Sequence, residues 1–113
     1  MWWLRKRGRD PRNAIMDAAL EFGPNWRRPV VELASERCPS LAEHDRIAIS
    51  VEVEAARSDV EDWVAARWDA VAGHWSRQDT ATARRWVAER YPWVSACNVQ
   101  RAVNQATYYA WHG

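Results

Sequence analysis

One run in this chain alternates apolar and polar residues as a half-buried strand would: Ile47, Ile49, Val51 and Val53, between Arg46 and Glu54. No second run exists for it to pair with, and a lone strand leaves its backbone donors and acceptors unmet. The run therefore has to be helical, and a chain whose one strand-like segment is a helix is all-α. Helical spacing agrees: Ile49, Val53, Ala56, Val60, Trp63, Arg67 and Val71 follow one another at steps of three and four residues. Ile47 and Val51 then fall on the opposite face. The expectation is a central helix covered from both sides, running unbroken from Leu41 to Ala72 or bent near Ser58-Asp59.

The remaining punctuation is helical as well. Asp10-Pro11 reads as an N-cap followed by Pro at the first helical position, with Ile15, Ala18, Ala19 and Phe22 behind it and Gly23-Pro24 as a stop. A second helix starts near Asn25 or Pro29, carries Val30, Val31, Leu33 and Ala34, and ends at Cys38-Pro39. Ser40 to Glu43 has the form of a capping box opening the long helix. Gly73 closes that helix, Asp79 or Thr80 caps the next, and Pro92 breaks it after Tyr91. Ser95 opens the last helix, with Val99, Ala102, Val103, Ala106, Tyr109 and Ala110 on one side and Asn98, Arg101, Gln105 and Tyr108 on the other. The architecture these signals predict is a compact bundle of five or six helices around the long one. Residues 13–113 form a single helical domain behind a basic, Trp-containing arm of residues 1–12. Glu36-Arg37-Cys38-Pro39 is echoed by Glu89-Arg90-Tyr91-Pro92 at a spacing of 53, which offers two related helix–Pro-turn–helix hairpins as an alternative description.

Charge is near balance at net +1 but segregated. Residues 1–12 carry +4, Glu32–Asp62 carries −6 from nine acids and three arginines, and Arg77–Asn104 carries +3. The two cysteines, Cys38 and Cys97, have neither metal-type nor redox spacing, so a cytoplasmic setting is expected. No run approaches a membrane span, and Asp17 and Glu21 interrupt any signal-peptide core. His44, His74 and His112 stand apart, with no phosphate loop and no nucleophile elbow. Cys38 and His44 flank a Pro turn but have no third group to orient them, and Glu61-Asp62 point about 100° apart on a helix. The expectation is a protein that is not an enzyme and holds no cofactor or metal.

Nine tryptophans in 113 residues are more aromatic surface than a core of this size needs. Trp63, Trp68 and Trp75, with Val60, Val64 and Val71, span an arc of about 140°, wider than one neighbouring helix covers. Aromatic and Arg side chains dominate interface energy, so Trp93, Arg101, Tyr108 and Trp111 are the expected anchors of a protein-interaction surface, for a partner protein or for self-association. Val87-Ala88-Glu89-Arg90 followed by Val94-Ser95-Ala96-Cys97-Asn98-Val99-Gln100-Arg101-Ala102-Val103-Asn104 resembles the helix-turn-helix of bacterial repressors, though Tyr91-Pro92-Trp93 stands where that motif has a tight Gly turn. The resemblance implies DNA as a partner, with Asn98, Arg101 and Gln105 facing the major groove and Arg84 and Arg85 beside them. A third expectation is a peripheral membrane adaptor acting through Trp2, Trp3 and the basic arm.

Overall fold

A computed structural model describes residues 10–21 and 28–113. Among them there are five helices and no strand: α1 (Pro11–Ala19), α2 (Val30–Arg37), α3 (Glu43–Ala70), α4 (Arg77–Arg90) and α5 (Ala96–His112). The chain divides into two compact units, one up to Ala55 and one from Ala56. α3 is a single unbroken helix of 28 residues that supplies its first half to one unit and its second half to the other. Arm residues 1–9, with Trp2 and Trp3, lie outside the described residues, as do Phe22 and Gly23-Pro24.

In the first unit, the Asp10 carboxylate accepts the Arg12 backbone N–H at 2.9 Å and Pro11 fills the first helical position, so an orphan donor is met and Pro's missing N–H costs nothing. Arg12 also forks onto Asp10 and reaches Glu52 on α3 at 3.5 Å. α1 ends at Ala19, before the expected Gly-Pro stop, and packs against α2. The buried apolar side chains are Ile15, Met16, Leu20, Val30, Leu33, Leu41, Ile49 and Val53 with their flanking alanines. Ile49 and Val53 begin the long stripe as expected. The opposite face is not covered: Ile47 is 47% and Val51 64% exposed. Two apolar residues one turn apart predict a buried face, but nothing among the described residues packs over them.

The second unit is built from the rest of α3, α4 and α5. Ala56, Val60 and Val64 continue the buried stripe; Ala83 and Val87 of α4 and Val99, Ala102, Val103 and Ala106 of α5 are buried as well, and α4 packs directly against α5. α3 stops at Ala70 in a Schellman turn: Gly73 N–H bonds Trp68 O and Ala72 N–H bonds Asp69 O, both at 3.0 Å, with Ala72 at φ +53° and Gly73 at φ +77°. α4 is capped by Ser76, three residues before the expected start. Ser76 Oγ accepts the Asp79 N–H while Asp79 accepts the Ser76 N–H, so Asp79 is the reciprocal member of a capping box and not the cap. Ser95 caps α5 as predicted, accepting the Asn98 N–H at 3.2 Å.

The echo at a spacing of 53 is present in the backbone. α2 ends at Cys38 (φ −132°, ψ 58°) and α4 at Tyr91 (φ −128°, ψ 74°), each donating to the carbonyl four residues back, Ala34 and Val87. Leu41 N–H then closes on Cys38 O at 3.2 Å, and Val94 N–H on Tyr91 O at 3.0 Å. A residue before Pro is pushed out of the helical region, and Pro suits the second position of the turn that follows. Because Ser40 sits inside that turn, the long helix does not begin at Ser40. It starts at Glu43, with Arg46 N–H bonding Ala42 O at 3.0 Å, and the Ser40–Glu43 capping box does not form. The Arg46 guanidinium instead donates to the turn carbonyls of Pro39 and Leu41.

Candidate interaction surface

The aromatic side chains of the second unit fall into two groups that differ in burial and partners. The first is structural. Trp63 of α3 stacks on Trp86 of α4, with centroids 5.2 Å apart and planes 18° apart. Trp86 meets the edge of Tyr91 at 6.5 Å, and Tyr91 the edge of Trp93 at 6.5 Å. Offset stacks and edge contacts are the arrangements that ring quadrupoles favour. Arg67 lies 5.7 Å over Trp63 and donates Nε to Asp79 at 2.8 Å, tying the ladder to the α4 capping box. At the other end, Tyr91 Oη donates to Asp59 at 2.5 Å, and Arg90 reaches the same carboxylate at 3.4 Å. Burial, and then the anionic Asp59, hold the Tyr91 phenol above its ordinary pKa, while hydrogen bonds from Ser76 and Arg67 hold Asp79 below its own. Trp75 lies beyond the end of α3 and folds back to stack on Trp68 at 5.7 Å, its indole N–H bonded to Thr80 Oγ1. The wide aromatic arc is thus covered by two elements, α4 over Trp63 and the segment after α3 over Trp68.

The second group is open. At the C-terminal end of α5, Tyr108 is 45% and Trp111 69% exposed. The His112 ring lies 4.2 Å from Tyr108 and 4.4 Å from Trp111, and Tyr109 meets the edge of Tyr108 at 5.9 Å. The four rings occupy the last turn and a half of the helix.

Of the residues expected to anchor a protein surface, Tyr108 and Trp111 come together here. Trp93 does not join them: it is half-buried in the ladder, before the start of α5, and Ala96 to Trp111 alone is about 22 Å of helix. Arg101 is half-buried midway along α5.

The residues expected to read DNA are placed differently from the sequence reading. Asn98 is 2% and Gln105 3% exposed, so of the row assigned to the outer face of α5 only Tyr108 lies fully on it, with Arg101 half-buried at its edge. At 100° per residue from Asn104, the exposed mid-line runs through Cys97, Gln100, Asn104, Tyr108 and Trp111. Asn98 and Gln105 fall about 120° and 100° from it, inside the buried arc beside Ala102 and Tyr109. Placing Asn98 and Gln105 outward with Tyr108 misphased the helix. Arg84 is half-buried on α4, and Arg85 is exposed beside it.

Cys38 and Cys97 are free thiols; burial pushes the Cys38 pKa up, away from the thiolate a nucleophile needs. The His44 side chain points to solvent and contacts Asp45 at 3.1 Å. Among the described residues, no group of three His, Cys, Asp or Glu could hold a metal ion, and no helix is long and apolar enough to cross a membrane. No protein-family model, curated protein or solved structure matches the chain.

Proposed function

We propose that this chain is a non-catalytic protein-interaction module whose contact surface is the C-terminal end of α5. The observation that carries the reading is Trp111. A large indole costs solubility when held in water, and here it stands with exposed Tyr108 and His112 in one group, backed by half-buried Tyr109. Trp and Tyr are the residue types that most often dominate binding energy, because they bury much area for little lost side-chain entropy. Two free thiols, one exposed, fit a reducing, cytoplasmic setting.

The test is quantitative capture with full-length protein and its Trp111→Ala variant as baits, together with sedimentation of both to detect self-association. A hot-spot truncation costs about 2 kcal/mol or more, roughly a thirtyfold loss in affinity, so at least one species retained by the parent should be lost from the variant. Identical capture and identical sedimentation for the two would refute the reading. Titration with generic duplex DNA at near-physiological salt is expected to show no binding, since two of the three residues assigned to base reading are buried.

A further inference from the structure

The uncovered face of α3 in the first unit has a chemistry of its own, distinct from the aromatic end of α5. Around Val51, at 100° per residue, Ile47, Ala48 and Ala55 fall within about 60° and His44 within about 20°, and all five are exposed. They form a stripe at helical spacing from residue 44 to residue 55, about 16 Å long. Glu43 and Glu54 line one edge of it, and Glu52 the other. No Lys or Arg of residues 43–55 lies within about 100° of Val51. The one arginine in that span, Arg46, is on the far side with its guanidinium on the carbonyls of Pro39 and Leu41. Glu52 meets Arg12 at 3.5 Å but keeps more than half of its side chain in solvent.

From this we infer that the face is a docking surface for a basic amphipathic helix of another protein, about three turns long, with Lys or Arg on either side of two or three apolar residues. Three features point to that occupant. The apolar stripe has the length and spacing that a second helix laid along α3 would cover. Acids outnumber cations along the rim, with exposed Glu43 and half-buried Glu54 on one edge and Glu52 shared with Arg12 on the other. Cations on the Glu43 side of the partner's stripe therefore meet opposite charge, whereas an acidic or neutral partner gains nothing from it. A second copy of α3 is disfavoured by the same rim, because antiparallel pairing about Val51 would set Glu52 close to its own twin.

The experiment uses the full-length protein and a fluorescein-labelled peptide of Leu and Lys arranged as an amphipathic helix, read by anisotropy. A peptide of the same composition, scrambled so that no apolar face forms, is the control. The amphipathic peptide is expected to bind at least tenfold more tightly than the scrambled one and to weaken as salt rises. Val51→Asp and Ile47→Asp, both on an exposed face where the fold tolerates a charge, are each expected to lower its affinity at least tenfold. Trp111→Ala is expected to leave it unchanged, which separates this surface from the one on α5. Equal binding of the scrambled peptide, or no effect of either Asp variant in a protein of unaltered helical circular dichroism, would overturn the proposal. So would a tenfold gain in affinity on removing residues 1–9, which would assign the face to the chain's own basic segment. A dimer dispersed by Val51→Asp would assign it to a second copy and overturn the proposal equally.

Discussion

The turn that ends α3 predicts two substitutions of opposite sign at neighbouring positions. Ala72 occupies the left-handed position of the Schellman turn at φ +53°, where Gly is usual. A Cβ in that conformation crowds its own carbonyl and costs roughly 1–2 kcal/mol. Ala72→Gly removes this cost but frees the unfolded chain, which takes back about 0.4–1 kcal/mol. The net expectation is stabilisation by about 0.5–1 kcal/mol, or a Tm higher by roughly 3–6 °C in a chain of this size. Gly73 is left-handed too, at φ +77°, and a Cβ there would stand 3.6 Å from Trp68 Nε1, an ordinary contact. Gly73→Ala therefore meets no wall of atoms and is penalised by backbone conformation alone, for a net loss of about 0.5–1 kcal/mol. Inside a regular helix the signs would be reversed, since Ala is favoured over Gly by about 1 kcal/mol. Urea unfolding followed by tryptophan fluorescence measures both, with Trp68 and Trp75 stacked next to the turn as local reporters. A lower midpoint for Ala72→Gly, or a higher one for Gly73→Ala, would show that the helix does not end in this turn.

Three further outcomes are expected. A double-mutant cycle on Trp63→Leu and Trp86→Leu, read by urea midpoint, should give a coupling of about 0.5–1.5 kcal/mol for the stacked pair; additivity within about 0.3 kcal/mol would mean that the rings are neighbours without mutual stabilisation. Because the Asp79 pKa is lower in the folded chain, its contribution is present above the unfolded value of about 3.9 and is lost as pH falls through the folded one. Unfolding measured from neutral to acid pH should show that loss in the parent and a flatter profile in Asp79→Asn, while Ser76→Ala should cost about 1 kcal/mol at neutral pH. On α5, Asn98→Ala should destabilise by about 1–3 kcal/mol and Asn104→Ala by less than about 0.5 kcal/mol in thermal melts; equal effects would place both amides in the same environment.

How far the sequence could be read depended on whether a signal was local and uncontested. Asp10-Pro11 and Ser95 were legible because each cap is settled within three residues. The strand-like run from Ile47 was legible because pairing is compulsory for strands, so absence of a partner decided the matter. Ser40–Glu43 failed where two local signals overlapped: the turn set by Pro39 takes Ser40 before it can cap. Ser76 was missed because its reciprocal partner is Asp79, a residue that is itself a good cap, and the two compete for the same reading. The α5 surface was legible at Tyr108 and Trp111 and misphased at Asn98 and Gln105. Polar amides were placed outward although a buried arc of about 160° takes in its flanking positions as well as its apolar centre. The ladder of Trp63, Trp86 and Tyr91 was beyond sequence reasoning, since nothing local links α3 to the far end of α4.

The two Pro turns show why likeness of backbone does not carry likeness of role in this chain. Cys38 and Tyr91, and Ser40 and Trp93, fill equivalent positions with unrelated side chains, yet the caps agree within about 20° in both dihedrals. Geometry so indifferent to side chain is fixed by the Pro and its restriction of the residue before it. The packing around the turns then differs. α2, before the first turn, packs on α1, which precedes it, whereas α4, before the second, packs on α5, which follows it. The helix after the first turn is left with Ile47 and Val51 in water beside acids, and the helix after the second leaves Asn104 at the position equivalent to Val51 and closes in Tyr108 and Trp111. One backbone rule used twice thus produces two faces of different chemistry, one apolar with an acidic rim and one aromatic.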